Sequence, residues 1–338
     1  MKAYYVKAPM HFELRDEPVS PLQPDEALVE VKACGVCGWD VLVSQVVAKD
    51  WMPVGHEFAG CVAAVGSAVR GFSVGDSVVA ENSTYCGICE QCKRGNVVHC
   101  TNLDHYRAAG AFASVVKVRY TGLYPMTDTY RAAALAEPLT VAIDMVEAAE
   151  IPLSGSVAVF GPGPIGLMIC RLALLKGAAR VYLTGHSHST ARWNAARQIG
   201  VTDCIYVDKQ DVVSFIKNRE PKGVDRVLIT APPATVADAV QITRFGGIIC
   251  YNGIKFDDNK NIVLDGNQFH FNRLQLRGVH SIPNLGWPQA LDLLQRRVID
   301  PDLFITQVFP FSKVPEAIQL AATNRTDTIK VMVDGETT

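Results

Sequence analysis

Gly161-Pro162-Gly163-Pro164-Ile165-Gly166 decides how this chain of 338 residues is read. The apolar run Val157-Ala158-Val159-Phe160 precedes it, and Leu167 to Leu175 follows as a longer one. The first reads as a parallel strand buried on both faces, the second as a helix packed on the sheet. Strand, glycine turn and helix in that order form a dinucleotide-binding fingerprint. Gly161 permits the tight turn, Gly163 lets backbone approach a pyrophosphate, and Gly166 lets helix and strand pack closely. The pyrophosphate then faces unpaired N–H groups and the positive end of the helix dipole, with Pro164 and Ile165 counted among the coenzyme-binding residues. Without its flanking runs the same hexapeptide would be only a glycine-rich turn.

Around the fingerprint, strand and helix alternate. Val157 to Phe160, Val181 to Thr184, Cys204 to Val207, Arg226 to Ile229 and Gly247 to Tyr251 read as strands of a doubly wound parallel sheet. Gly246-Gly247 and the strand ending at Asn252-Gly253 are expected near the nicotinamide half of the coenzyme. An enzyme for NAD carries Asp or Glu at the end of its second strand, bonded to the ribose 2′-hydroxyl. Here that strand runs into Gly185-His186-Ser187-His188-Ser189-Thr190-Ala191-Arg192, and no carboxylate occurs between Gly177 and Thr202. The repulsion that would exclude a 2′-phosphate is absent. Ser187 and Ser189 can donate hydrogen bonds, while Arg192 and partly protonated His186 or His188 supply positive charge. NADP(H) is therefore expected in preference to NAD(H); the competing reading is a mobile polar loop that holds NAD less tightly.

From Met1 to about Tyr124, short β-rich runs broken by Pro and Gly suggest a compact antiparallel barrel; they include Ala27 to Ala33, Ala59 to Val65, Ser77 to Ala80 and Ser114 to Val118. Two cysteine constellations lie in or near it. Cys86-Gly87-Ile88-Cys89-Glu90-Gln91-Cys92 is followed by Cys100. Four thiolates in one loop can close a tetrahedral Zn²⁺ site with no open position, and such a site is structural. Two disulfides or an iron–sulfur cluster fit a reducing compartment and this spacing less well. The second constellation is dispersed over Cys37, Gly55-His56-Glu57 and Glu137-Pro138-Leu139. Thiolate, imidazole and carboxylate would hold zinc by three ligands and leave one position for oxygen. Spacing alone leaves open a redox pair in Cys34-Gly35-Val36-Cys37 and a purely structural His56.

Composition narrows the classes. Lys and Arg number 32 against 34 Asp and Glu, a net charge of −2 without a basic stripe, so no nucleic-acid partner is expected. No stretch gives some twenty uninterrupted apolar residues, and Met1-Lys2-Ala3-Tyr4-Tyr5-Val6 reads as a first strand and lacks the apolar core of a signal peptide. A cytoplasmic protein without membrane attachment is expected, its ten cysteines serving metal or thiol chemistry ahead of disulfides. The length admits two domains. Arg131 to Ala149 reads as a helix interrupted near Pro138 that links them. Phe269 to Arg277, with Gly278-Val279-His280-Ser281 after it, reads as a last edge strand and its exit loop. Trp287 to Val298 and Pro315 to Thr323 read as packing helices, and His270 and His280 as structural residues.

Cys34-Gly35-Val36-Cys37-Gly38-Trp39-Asp40, Gly55-His56-Glu57, the four-cysteine lobe, Glu137-Pro138-Leu139 and the glycine fingerprint, in this order, resemble the zinc-containing medium-chain alcohol dehydrogenases. Within that family the chain looks most like the sorbitol and threonine dehydrogenase branch, which has Glu-Pro after the barrel. The resemblance runs from the first strand to Lys330-Val331-Met332-Val333. It implies an α/β protein: a GroES-like β-barrel catalytic domain over residues 1–138 and 283–338, and a Rossmann doubly wound parallel-sheet domain over 139–282. It implies Cys37 and His56 as ligands of a catalytic zinc, with Glu57 and Glu137 sharing the remaining protein position, and hence two zinc ions per chain. Asp40 would bond the free nitrogen of His56 and fix its tautomer. Cys34 would be a packed neighbour, and Lys330 a partner of Asp40 behind the metal. His105, Tyr106 and Arg107, just before the Gly110-Ala111-Phe112-Ala113 turn, could face substrate or form a solvated loop. The edge strand would pair across a homo-oligomer, a dimer or tetramer.

One departure stands out. Where the family has Ser or Thr, and commonly His, to pass the alcohol proton to solvent, this chain has Trp39 and Leu42. Indole N–H is donor only and Leu has no polar atom, so neither relays a proton. Protons then leave through Glu57 or Glu137 and water, or ordinary alcohols are oxidised slowly; the first is favoured because the carboxylates and metal ligands remain. The expected activity is a zinc-dependent hydride transfer between NADP(H) and a secondary alcohol, a polyol or sugar derivative, and its ketone. The alternatives are a non-catalytic NADPH-binding sensor or structural protein, and a zinc-free enone or quinone reductase.

Overall fold

The computed structural model describes residues 1–81, 83–103, 110–256 and 258–335. In chain order its strands are β1 (Lys2–Lys7), β2 (His11–Asp16), β3 (Glu26–Gly35), β4 (Met52–Pro53), β5 (Glu57–Val65), β6 (Ser77–Ala80), β7 (Val115–Arg119), β8 (Leu123–Pro125), β9 (Ser156–Phe160), β10 (Arg180–Gly185), β11 (Asp203–Tyr206), β12 (Val224–Ile229), β13 (Thr243–Tyr251), β14 (Gln275–Gly278), β15 (Ile305–Pro310) and β16 (Lys330–Asp334). The chain divides into two units. One comprises Met1–Thr140, Ser281–Asn324 and Lys330–Thr338, the other Val141–His280 and Arg325–Ile329. Among the described residues no helix is long and apolar enough to cross a membrane.

The second unit carries one six-stranded parallel sheet in the order β11-β10-β9-β12-β13-β14. Strand order reverses between β9 and β12, which makes the crevice beyond their carboxyl ends the ligand site of such a sheet. β9 is buried along its whole length, its apolar run Val157–Phe160 covered on both faces and Ser156 paired with Asp225. The helix Pro164–Leu175 starts within the fingerprint, with Gly163 as N-cap and Pro164 in its first turn, where a missing N–H costs nothing.

In the first unit a seven-stranded sheet runs β15-β16-β3-β5-β6-β8 with β7 on β3, beside a small sheet β2-β1-β4. Its pairs are antiparallel except β15–β16, which is parallel. That exception follows from connectivity, because the helix Val314–Thr323 lies between the two strands and returns the chain in the same direction. The register around β3 positions the site. Gly35 faces Glu57 on β5 and Met332 on β16, so Cys37, two residues beyond Gly35, comes between the start of β5 and Lys330.

Two elements differ from the sequence reading. Phe269 to Arg277 is not one strand: Gly266–Phe271 is helical, and only Gln275–Gly278 pairs as β14. Asp265 caps that helix, its carboxylate accepting from the N–H groups of Asn267 and Gln268, and a cap upstream outweighs the alternating Phe269 and Phe271. The helical break near Pro138 falls at Leu135, between Tyr130–Ala134 and Ala136–Ala149. Pro138 is accommodated in the first turn of the second helix, where proline is tolerated.

Candidate metal centres and coenzyme loop

The lobe ligands converge. The sulfurs of Cys86, Cys89, Cys92 and Cys100 lie within 4.8 Å of one another, with Cys86 to Cys92 at 3.9 Å and Cys89 to Cys100 at 4.0 Å. A tetrahedron with metal–sulfur bonds of about 2.3 Å has edges of about 3.8 Å, whereas a disulfide needs about 2.05 Å. All four thiols are unbridged, so the donor set fits zinc. Backbone supports it: the Cys86 and Asn102 N–H groups donate to Cys100 Sγ at 3.3 and 3.4 Å, and the Cys89 N–H to Cys86 Sγ at 3.3 Å. Backbone N–H groups of Thr101 and then Cys92 hold the Cys89 thiol well below its ordinary value, which favours the thiolate a metal requires.

The dispersed residues also meet. Ligand atoms of Cys37, His56 and Glu57 lie within 4.8 Å of one another. Cys37 caps the short helix Gly38–Leu42 just past β3, and His56 directly precedes β5. Asp40 is buried and organises both: Oδ2 accepts from the Cys37 N–H at 2.8 Å, while Oδ1 accepts from the Gly55 N–H at 3.0 Å and lies 3.5 Å from His56 Nδ1. Burial works against charge on His56, but Asp40 and Cys37 outweigh it and lift the imidazole well above its usual range. Burial likewise pushes the Glu137 carboxyl up to about 8; His56 opposes the rise, and Glu57 and Glu81 add to it. Glu137 is buried but lies outside the mutual 4.8 Å group.

Lys330 corrects an expectation. Its ammonium does not go to Asp40; it donates to Glu57 Oε1 and Oε2 at 2.7 and 2.6 Å and to the Val36 carbonyl at 3.1 Å. The strand register is the reason: β16 brings Lys330 alongside Cys37, and Glu57 opens β5 across from Gly35. A Cβ at Gly35 would stand 2.2 Å from Glu57 Oε2, so glycine leaves the carboxylate its seat. Cys34 is in the core, as a packed neighbour. Trp39 packs against the same apolar cluster. His105, Tyr106 and Arg107 lie outside the described residues.

At the coenzyme loop, Gly161 has φ +108°, and its N–H donates to Thr184 O at 3.1 Å. A Cβ at Gly166 would lie 1.9 Å from Gly161 O, whereas one at Gly163 would meet nothing within 4 Å. The turn is closed where strand and helix meet and open where a pyrophosphate would approach, which fits a dinucleotide. Pro164 and Ile165 begin the helix behind it. Gly185 ends β10 against Pro162, and Gly253 follows β13 close to Ala231 O. His186 and His188 stack with centroids 5.6 Å apart, and the His186 carbonyl accepts from Trp193 Nε1 at 3.0 Å. Ser189 is buried. Arg192 donates through Nε to Thr328 O at 2.9 Å, and burial, then Arg325, pushes it down to about 10. Ser187 meets a residue the sequence reading passed over, Asp208, with its N–H 2.7 Å from Oδ1. Glu81 was passed over too: it is buried and accepts from Trp287 Nε1 and, at 3.1 Å, from the Asn284 N–H. Local pattern carries no signal for a partner some 200 residues away in the chain.

Comparison with known proteins agrees with this architecture. Residues 23–128 match the alcohol dehydrogenase GroES-like domain, and residues 164–296 match the zinc-binding dehydrogenase domain. A sorbitol dehydrogenase of Bacillus subtilis (strain 168) is 30% identical over 347 residues, spanning 98% of this chain and 97% of the relative. An L-threonine 3-dehydrogenase of the same organism is 29% identical over 323 residues, with 91% of each chain covered. Among solved structures, a candidate zinc-binding dehydrogenase of Sinorhizobium meliloti 1021 bound to NADP superposes with a TM-score of 0.86 at 28% identity, covering 98% of both chains. With the ordered motifs, the parallel sheet and these matches, the chain belongs to the zinc-containing medium-chain alcohol dehydrogenases of the sorbitol and threonine dehydrogenase branch and is an alcohol or polyol dehydrogenase.

Proposed function

We propose that this protein is a zinc-dependent dehydrogenase that moves a hydride between NADP(H) and a secondary alcohol, a polyol or sugar derivative, and its ketone. The observation that carries the proposal is the convergence of Cys37, His56 and Glu57 within 4.8 Å, a donor set suited to zinc with a position to spare. When bound, zinc supplies a Lewis acid for the alcohol oxygen and the nicotinamide supplies the hydride acceptor or donor. Cys37 and His56 serve as ligands, with Glu57 and Glu137 providing the carboxylate. Asp40 orients the imidazole from Nδ1 and, through Oδ2, the backbone of Cys37. Lys330 balances the charge of Glu57. Glu57 or Glu137 carries the substrate proton outward through water, since Trp39 and Leu42 offer no relay. Cys86, Cys89, Cys92 and Cys100 hold a second, structural zinc.

Gly161, Gly163, Pro164, Ile165 and Gly166 receive the pyrophosphate, and Gly185, His186, Ser187, His188, Arg192 and Gly253 line the rest of the coenzyme path. The missing second-strand acid supports NADP(H) over NAD(H). The protein works as a cytoplasmic homo-oligomer joined through the β14 edge. Metal analysis together with NADPH oxidation over a panel of ketoses and small ketones tests the proposal: about two zinc per chain and turnover of a polyol-derived ketone are expected. Trp39, packed on the apolar core where a relay group would stand, favours one other reading, a coenzyme-binding sensor. Coenzyme binding with no turnover of any panel member would select it and overturn the dehydrogenase.

A further inference from the structure

The loop after the second strand is where a Rossmann sheet meets the adenosine ribose. Here that loop carries a carboxylate which its own strand does not supply. β10 and β11 run parallel with Gly185 beside Tyr206, and the Val207 N–H donates to Gly185 O at 3.0 Å. That pairing carries the next residue, Asp208, onto the Ser187 turn. Oδ1 accepts from the Ser187 N–H at 2.7 Å and Oδ2 from the Ser187 hydroxyl at 2.5 Å. A backbone N–H and a hydroxyl converging on two oxygens of one anion are the kind of donors a phosphate monoester takes. The turn also adjoins the fingerprint, since a Cβ on Gly185 would lie 2.5 Å from Pro162 Cγ. Ser187, one of the donors assigned from sequence to a 2′-phosphate, is thus already engaged by an internal anion.

We propose that Asp208 is the coenzyme-selecting residue of this protein: its carboxylate occupies on Ser187 the seat of the 2′-phosphate, and must leave for NADP(H) to bind but not for NAD(H). This rests on the dehydrogenase reading above. Asp208 is exposed, so its side chain can leave without opening the core. The Ser187 hydroxyl first and the Ser187 N–H second draw its carboxyl down to about 2, which keeps it an anion at any pH where the enzyme works. A 2′-phosphate that arrives with the carboxylate still seated meets like charge at contact distance and loses both Ser187 donors. A 2′-hydroxyl meets neither penalty. The discrimination in favour of NADP(H) that follows from the missing second-strand acid is therefore held down by an acid from the third strand.

The test measures dissociation constants for NADPH and NADH by fluorescence titration of the zinc-loaded full chain. The variants are Asp208→Asn, Asp208→Ala, Ser187→Ala and the double variant Ser187→Ala/Asp208→Ala, each checked for an unchanged melting temperature. Both Asp208 variants are expected to tighten NADPH about tenfold, the order for a phosphate relieved of one carboxylate neighbour in a solvated loop, and to shift NADH by less than about twofold. The NADPH gain should shrink in high salt and be smaller in the double variant, which lacks the Ser187 hydroxyl but keeps the backbone N–H. A ratio of NADPH to NADH affinity that is the same in wild type and both Asp208 variants overturns the inference while leaving the dehydrogenase intact. So does a loss of NADH affinity without a gain for NADPH, which would make Asp208 a ribose-hydroxyl acceptor. Failure of both coenzymes to bind every form overturns the dehydrogenase reading and this inference with it.

Discussion

Lys330→Met tests the architecture of the catalytic unit most severely. The methionine keeps the length and apolar stem of the lysine but removes its charge. The lysine and glutamate side chains are 4% and 1% exposed, and the ammonium spans both Glu57 oxygens and the Val36 carbonyl. Removing one partner of a buried pair strands the other, at a cost of about 3–5 kcal/mol. Urea unfolding followed by tryptophan fluorescence, with Trp287 buried in the same unit, is expected to show a deficit of about 3–5 kcal/mol at pH 7. Adding Glu57→Gln should recover at least half of the loss at pH 7, because no charge is then buried. A deficit below about 1 kcal/mol at pH 7 would refute the pairing.

Three further outcomes are expected. Cys89→Ser should lower zinc content by one ion per chain by elemental analysis and raise amide exchange across the lobe around Cys86–Cys100, leaving one zinc at Cys37 and His56; loss of both ions would contradict independent sites. Gly166→Ala, whose Cβ would stand 1.9 Å from Gly161 O, should weaken both coenzymes at least about tenfold and lower stability by about 1–3 kcal/mol; Gly163→Ala, with open space around it, should leave the melting temperature unchanged and weaken only coenzyme binding. Tyr182 is pushed up to about 12, by burial first and then by its hydrogen bond to Glu220 at 2.9 Å, so the stability it contributes is fully present below pH 10 and lost between about 10 and 12. Tyr182→Phe should flatten that alkaline fall in a pH series of thermal melts.

What sequence made legible was whatever depends on neighbours in the chain. The fingerprint turn is encoded within six residues, because positive φ at Gly161 and the close packing at Gly166 are both set by the absence of a Cβ. Ser77 to Ala80 reads as a strand from its own residues and pairs as β6. The lobe is legible for the same reason, as four sulfurs in one loop cannot lie far apart. The strand reading of Phe269 to Arg277 failed at its start because Asp265, ahead of the apolar alternation, caps the helix Gly266–Phe271. Lys330 and Asp208 were beyond reach for another reason. Their partners are fixed by strand register, Lys330 by β16 on β3 and Asp208 by β11 on β10, and a one-residue slip in either pairing would send the side chain elsewhere.

That dependence ties the metal-ligand cluster to the last strand of the chain. Cys37 and His56 are brought together by β3 and β5, whose pairing sets Cys34 opposite Phe58 and Gly35 opposite Glu57. The carboxylate beside them is buried in charged form only once β16 has returned with Lys330. Without Lys330, Glu57 would be a buried charge with no cation beside it, next to a Cys37 thiol that burial pushes up. A zinc ion held by Cys37 and His56 would add positive charge beside Glu57, and would then favour the same carboxylate that Lys330 favours. The site is therefore not a patch grafted on a finished sheet: its charge balance is completed by the strand that completes the sheet.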